Sequence, residues 1–293
     1  FLSIPFLIWF IKRKKINLIF SFLLGIFPLM VKQLFKDVEI TTSIQGFPKF
    51  NFLRTYLWKK LYTKSKNIFT MSNTTKIEIG NTIKHTGIIK IDNPIINRKL
   101  SILSREKLNT EEEKIFKKKV IICVGRLTKQ KRFLDVIHAF KNLNKELAQD
   151  VNLVILGEGE QRNLIQNELK KSKLENIYLL GHKTNPYKYI AKSDLFVSSS
   201  LWEDPGHAII EAAFLNTFII SSECDGGPKE MFLNKYNCFS YQPKNIDMLK
   251  NQINFYFKEL KSRDKKNILV NAKKLSKNYT EFRFYKSIEK YLI

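Results

Sequence analysis

From Lys119 onward, apolar runs of four to six residues alternate with longer amphipathic stretches. Runs this short and this apolar are strands buried on both faces, and the stretches between them are the helices that cover a parallel sheet. The pattern predicts strands over 120–125, 151–156, 177–180, 195–198 and 218–221, with helices over 132–147, 160–173, 186–192 and 206–215. The fold class is therefore α/β with parallel sheets.

Residues 1–118 are less regular. They predict strands over 16–24, 38–42 and 67–71 and a helix over 52–64, the later part of a second α/β domain. Between the halves, 99–118 is polar and charge-dense, with Glu111-Glu112-Glu113 close to Lys117-Lys118-Lys119, and reads as a linker. The resulting division is a partial N-terminal domain over 1–98, the linker, a C-terminal domain over 119–275 and a closing helix over 276–293. That helix carries Tyr279, Phe282, Phe284, Tyr285 and Tyr291, aromatic residues suited to packing against the N-terminal domain.

The first residue is Phe1, inside an apolar stretch, which suggests a fragment. Apolar runs over 1–11 and 16–31 flank Lys12-Arg13-Lys14-Lys15, and each falls short of the ~20 residues that span a bilayer. A buried strand flanked by helices is the better reading. The three cysteines, Cys123, Cys224 and Cys238, form no C-x-x-C pair, which argues for a reducing compartment and against a disulfide framework or zinc site. The cytoplasm is the expected location.

With 51 Lys and Arg against 27 Asp and Glu, the formal charge is +24, of which +14 falls on residues 1–118 and +10 on 119–293. An anionic partner is favoured: nucleic acid, a phospholipid surface or a phosphorylated small molecule. A compositional bias toward Lys, Ile and Asn would raise the charge without any partner. The cations follow no helix-turn-helix, RRM or zinc pattern, so nucleic acid is not the expected partner.

Three stretches carry chemistry. In Val124-Gly125-Arg126-Leu127-Thr128-Lys129-Gln130-Lys131 a strand ends at a glycine, and Arg126 and Lys131 follow, five residues apart. Ligands of open α/β sheets lie beyond the carboxyl ends of strands, where a guanidinium fork and an ammonium suit a diphosphate. Taken alone, both would read as surface cations. Leu156-Gly157-Glu158-Gly159-Glu160 lacks the third glycine of a dinucleotide fingerprint and reads as a turn before an acidic helix start. In the third stretch, Ser198-Ser199-Ser200 leads to Glu203, Pro205-Gly206 opens a helix, and Glu211 lies inside it. A loop carboxylate, the free amides of Gly206, His207 and Ala208, and a second carboxylate can serve a sugar nucleotide, which has hydroxyls at both ends and a diphosphate between.

In these residues the chain resembles the C-terminal domain of the retaining glycosyltransferases of family 4, which have the GT-B fold of two facing Rossmann-like domains. The resemblance runs in register through Val124-Gly125-Arg126-Leu127 with Lys131, Leu156-Gly157-Glu158-Gly159, Leu180-Gly181-His182, Ser199-Ser200-Leu201-Trp202-Glu203, the E-x7-E pair of Glu203 and Glu211, and Asp225-Gly226-Gly227-Pro228-Lys229-Glu230. It implies that Arg126 and Lys131 hold the donor diphosphate, that Gly125 belongs to the same donor site, and that the amides of Gly206, His207 and Ala208 meet phosphate and sugar. Glu203 would bind hydroxyls of the transferred sugar and Glu211 those of the ribose, with the loop after Gly181 lining the base. Catalysis would rest on Glu203, Arg126 and Lys131, with no cofactor and no metal ion, and with retention at the anomeric carbon.

More loosely, Thr42-Ser43-Ile44-Gln45-Gly46-Phe47-Pro48 and Ile68-Phe69-Thr70-Met71-Ser72 resemble the second half of the acceptor domain, with Gln45 where many members carry a histidine. The family's opening βα unit would precede Phe1, so the N-terminal domain is expected to be incomplete. The implied partners are a nucleotide-sugar donor, a UDP-sugar favoured over a GDP-sugar, and a glycan or lipid-linked acceptor of cell-surface polysaccharide or lipopolysaccharide synthesis. The basic N-terminal half suggests peripheral contact with an anionic membrane at the inner face of the plasma membrane. The competing readings are a fragment that binds donor without turnover, a basic nucleic-acid-binding protein, and a GT-B protein of other chemistry such as a sugar-nucleotide 2-epimerase or a phosphorylase. The epimerase would want carboxylates and histidines in an N-terminal half whose only histidine is His85, and the phosphorylase a much longer chain.

Overall fold

A computed structural model of the chain describes all residues except 1–2, 23–25, 49–50, 144, 173 and 292–293. It divides into two units, one of residues 1–93 with 282–293 and one of residues 94–281.

Among the described residues, the first unit holds α1 (Ser3–Lys14), β1 (Leu18–Phe22), α2 (Phe27–Val31), β2 (Glu39–Ile44), α3 (Phe52–Leu61), β3 (Asn67–Thr70), α4 (Asn73–Thr82) and β4 (Ile88–Lys90). The strands form a parallel sheet in the order β1-β2-β3-β4, with no reversal of direction. Leu23 and Leu24, the end of the expected first strand, lie outside the described residues. Local chemistry sets the helix starts: Asn51 accepts the Arg54 amide at 2.8 Å ahead of α3, and Ser72 Oγ accepts the Thr75 amide at 3.1 Å ahead of α4. Ile40, Ile44, Ile68, Trp58, Tyr62 and Ile79 fill the core on one side.

The second unit opens with α5 (Arg98–Leu103) and α6 (Thr110–Ile115), where the sequence predicts a linker over 99–118. These helices form because Asn97 caps α5 and Asn109 and Glu112 make a reciprocal capping box on α6. Glu112, the middle residue of the acidic run Glu111-Glu112-Glu113, is buried.

The predicted strands appear as β5 (Lys119–Val124), β6 (Val151–Leu156), β7 (Ile177–Gly181), β8 (Leu195–Ser198) and β10 (Phe218–Ser222), joined by β12 (Phe239–Tyr241) and by the short pair β9 (Trp202–Glu203) and β11 (Asp225–Gly226). The predicted helix over 132–147 is two helices, α7 (Phe133–Lys141) and α8 (Lys145–Asp150). The others are α9 (Arg162–Ser172), α10 (Tyr187–Lys192), α11 (His207–Phe214), α12 (Gly227–Met231), α13 (Ile246–Lys258), α14 (Ser262–Ser276) and α15 (Glu281–Ile288). From Phe282 onward the chain belongs to the first unit, where Phe284 and Ile288 of α15 pack with Phe69 and Ile91.

The large sheet is parallel, in the order β12-β10-β8-β5-β6-β7. Counted along the chain this is 6-5-4-1-2-3, the doubly wound Rossmann order. Along β5, Ile121 and Cys123 point into one core with Val136, Ile137 and Phe140, while Val120 and Ile122 point into the other with Ile209, Ile210 and Phe196. A strand buried on both faces explains the unbroken apolar runs. Cys123, Cys224 and Cys238 are buried free thiols; burial pushes Cys224 and Cys238 up to about 12, and Cys123 higher still.

Candidate functional site

The strand order changes direction between β5 and β8. At such a point adjacent loops leave to opposite sides and open a crevice at the carboxyl edge of the sheet. The two loops concerned, 125–132 and 199–206, are the two stretches that carry the candidate residues.

The first loop is stitched to its neighbour after β6. Leu127 N donates to Glu158 O at 2.8 Å, and Gln161 N to Leu127 O at 2.9 Å. The approach is so close that a Cβ on Gly157 would lie 1.8 Å from Gly125 O, and one on Gly159 2.5 Å from Leu127 O. Gly157 and Gly159 thus serve loop-to-loop packing. The expected acidic helix start is absent: α9 begins at Arg162, has no acidic residue in its first turn, and pairs Arg162 with Glu158. Within the loop, Lys131 N donates to Thr128 O at 3.0 Å. This folds Lys131 back so that its Cε lies 3.2 Å from where a Gly125 Cβ would be.

The second loop is tied to the first. Ser199 Oγ donates to Lys131 O at 2.6 Å, Leu201 N to Gln130 O at 2.9 Å, and Gln130 Nε2 to Trp202 O at 2.7 Å. Beneath it, β11 pairs with β9, bringing Gly226 against Glu203; a Cβ there would fall 1.8 Å from Glu203 O. The Asp225-Gly226-Gly227-Pro228 motif is therefore the floor on which the Glu203 loop rests.

These ties bring Lys131 and Glu203 together as an ion pair, Lys131 Nζ on Glu203 Oε1, and Ser200 Oγ donates to the same oxygen at 2.6 Å. Glu203 is buried, 8% exposed, so its carboxylate is held in a defined place. Gly206, in the left-handed region at φ +96°, turns the chain into α11 with no side chain capping the helix. The helix therefore presents its first amides beside Glu203 and Lys131. Ala208 is half-buried and lines a small pocket with Lys131, Ser199, Ser200, Glu203 and Gly206.

His207 keeps an exposed edge, yet crowding by the surrounding protein lowers its pKa, with Glu203 opposing and Lys131 assisting. Glu211 is half-buried on α11; burial raises it to about 7, against a hydrogen bond from the Tyr187 hydroxyl. Arg126 is exposed, and its guanidinium makes no hydrogen bond or ion pair among the described residues.

Gly125, Lys131, Glu203, Gly206, His207 and Ala208 thus gather at the switch point. Gln45 belongs to the other unit, just past β2, where its amide is paired with Asn93: Asn93 Nδ2 donates to Gln45 Oε1 at 2.5 Å, and Gln45 Nε2 reaches Ser43 Oγ at 2.6 Å. The lone N-terminal histidine, His85, is engaged with Ser65 O at 2.8 Å and the Gly87 amide at 2.9 Å. Sequence reasoning missed Tyr187 and Ser200 as partners of the two glutamates. Ser200 stood within the serine run, whereas Tyr187 is 24 residues from Glu211 and nothing local marks it.

Strand order and site define a Rossmann-type α/β protein with a cationic crevice at its switch point. The Glycosyl transferases group 1 family model matches residues 104–277, and the chain belongs to that family. An uncharacterized glycosyltransferase of Methanocaldococcus jannaschii is 41% identical over 141 residues, 47% of this chain and 34% of that protein. The N-acetylgalactosamine-N,N'-diacetylbacillosaminyl-diphospho-undecaprenol 4-alpha-N-acetylgalactosaminyltransferase of Campylobacter jejuni is 34% identical over 122 residues, 41% and 32% of the two chains. The matches span about a third of these curated relatives. Among solved structures, a glycosyltransferase from Rickettsia africae superposes with a TM-score of 0.81 at 19% identity, over 98% of this chain and 79% of that one. Anabaena HepE in complex with UDP gives 0.82 at 15% identity, over 99% and 81%. The α/β fold with parallel sheets is that of GT-B glycosyltransferase structures.

Proposed function

We propose that this chain is a retaining, metal-independent glycosyltransferase of family 4, moving a sugar from a nucleotide-diphosphate donor, a UDP-sugar in the first place, to a glycan or lipid-linked acceptor of cell-surface polysaccharide or lipopolysaccharide synthesis. The observation that carries this reading is the meeting of Lys131, buried Glu203 and the uncapped start of α11 at the switch point.

A diphosphate lying across the α11 amides is neutralised by Lys131 and by Arg126, whose guanidinium has no partner to give up among the described residues. Glu203, fixed by Ser200 and Lys131, accepts hydrogen bonds from hydroxyls of the transferred sugar, and Glu211 from the ribose. In the reaction the bond from the anomeric carbon to the diphosphate oxygen breaks. The acceptor oxygen bonds to that carbon on the same face, and its proton passes to the departing diphosphate oxygen. Arg126 and Lys131 stabilise the charge that develops there, which is the largest contribution a fixed site makes. Glu203 is then a positioning carboxylate, unlike the acid of a glycosidase.

The activities named for relatives support the acceptor class: beside the Campylobacter jejuni enzyme, the Bacillus subtilis poly(glycerol-phosphate) alpha-glucosyltransferase is 29% identical over 129 residues. HepE with UDP and glucose supports the donor class. Peripheral contact with an anionic membrane is supported by α1, which exposes Phe6, Trp9 and Phe10 next to Lys12, Arg13 and Lys14. No helix among the described residues is long and apolar enough to cross a membrane. Gln45 is the acceptor-side candidate, held by Asn93 to orient a hydroxyl.

The test is to incubate the chain with UDP- and GDP-sugars and lipid-linked acceptors, and to read product and anomeric configuration by NMR. Transfer with retention supports the reading; an inverted product contradicts it. Co-sedimentation with phosphatidylglycerol vesicles that is indifferent to lipid charge and to salt would contradict the membrane contact.

A further inference from the structure

Residues 182–189, between β7 and the first turn of α10, are held chiefly by side chains that reach to α5 and α6. Asn185 Nδ2 donates to Leu103 O at 2.9 Å and to Glu106 Oε2 at 2.8 Å, and Lys188 Nζ donates to Lys107 O at 3.2 Å. Buried Glu112 receives Lys183 at 3.0 Å and the Tyr189 hydroxyl, with Lys188 at 3.6 Å. Both ammonium groups also sit over the Tyr189 ring, at 5.5 and 5.1 Å from its centre. Two cations and a phenol around one desolvated carboxylate make a strong local clamp.

The clamped segment ends at the site. Asn185 Oδ1 accepts the Tyr187 amide at 3.1 Å and so fixes where α10 begins, and the Tyr187 side chain comes beside Glu211 of α11. Hydrogen bonds therefore run from Glu106 and Leu103 through Asn185 to the Tyr187 backbone, and the Tyr187 side chain carries the contact on to Glu211. It reaches the site at Glu211, whereas Lys131 and Arg126 are placed by other loops.

We propose that the α5–α6 segment is a brace for the nucleoside end of the donor site, with Asn185, Glu112 and Tyr187 as positioning residues that aim Glu211 and hold the base-side loop. The proposal rests on the donor-site reading above and deepens it. It assigns the brace to ribose and base, and leaves the diphosphate to the loops at the switch point.

The test is calorimetric titration of the full chain with UDP and with inorganic pyrophosphate, for the wild type and for Asn185→Ala, Glu112→Gln and Tyr187→Phe. The last replaces only a hydroxyl, so it keeps the comparison meaningful if the other two fold poorly. Wild type should bind both ligands. Each variant should lose about tenfold in UDP affinity, the worth of one or two hydrogen bonds, while pyrophosphate affinity stays within about twofold. Equal losses for both ligands, or UDP affinity unchanged in Tyr187→Phe, would overturn the brace. A wild-type chain that binds pyrophosphate but not UDP would instead overturn the nucleotide reading, and the brace with it.

Discussion

Lys131 and Glu203 lie 72 positions apart in the chain and meet as an ion pair where the two halves of the large sheet diverge. Neither is placed by its own loop alone. The carbonyl of Lys131 accepts from Ser199, and the carboxylate of Glu203 accepts from Ser200, so each loop holds the other in register.

Removing Lys131 should therefore cost twice. Lys131→Ala leaves a buried carboxylate with Ser200 alone, which is expected to lower stability by about 1–3 kcal/mol. It should also weaken nucleotide-diphosphate binding ten- to a hundredfold, as loss of a charge-assisted contact does. Denaturant melts and calorimetry measure the two effects. Wild-type affinity in a folded Lys131→Ala variant would remove Lys131 from the site.

Arg126 should behave differently, because it is exposed and unpaired among the described residues. Arg126→Ala is expected to leave stability within about 0.5 kcal/mol of wild type, as exposed substitutions do. Nucleotide affinity should still fall about tenfold. A stability loss with unchanged affinity would invert the assignment.

Gly226 is the position where shape alone should show. A methyl group there would overlap Glu203 O at 1.8 Å, in a backbone at φ +100° that disfavours any side chain. Gly226→Ala should destabilise the chain by more than about 1 kcal/mol and displace Glu203, lowering donor affinity without touching a charge. A crystal structure of the variant with Glu203 unmoved would contradict this.

Glu211 and Glu112 should give opposite pH signatures. Glu211, raised by burial to about 7 from an ordinary 4.5, keeps a proton in the folded chain that the unfolded chain has lost. Its contribution makes stability fall as pH rises through that interval and level off above it. Burial of Glu112 works against its charge, but the hydrogen bonds from Tyr189 and Lys183 hold it down at about 2. Its stabilisation is complete above about 4.5 and is lost as pH falls toward 2. Melting the variants across about pH 3 to 8 should show Glu211→Gln flattening the upper slope and Glu112→Gln the acid limb. The reverse pattern would refute the assignment.

The fold of residues 119–222 was legible because a doubly buried strand must be almost wholly apolar, and the interiors of β5, β6 and β8 are, apart from Asn152 of β6, whose amide donates to Ile115 O at 2.6 Å. The candidate residues were legible too, since Arg126, Lys131, Glu203 and Glu211 stand at fixed spacing around strand ends and a helix start. The brace was not. Residues 99–118 look solvated because Glu111-Glu112-Glu113 is written as one acidic run, and only folding turns Glu112 inward onto Tyr189 and two lysines. Tyr187 was hidden for the same reason: its partner is distant in sequence, and no periodicity encodes a hydrogen bond across the fold. The twin glycines at 157 and 159 read as a turn before a helix, and what the sequence did not disclose is the close approach of the carbonyls of Gly125 and Leu127 that requires them.

The central claim is a nucleotide-diphosphate donor site at the switch point, and titration calorimetry tests it most directly. UDP and GDP would be titrated into the wild-type chain and into folded Arg126→Ala and Glu211→Ala variants. Saturable binding of one nucleotide, UDP by this account, weakened about tenfold in both variants, is the predicted result. A folded wild-type chain that binds neither nucleotide would contradict it.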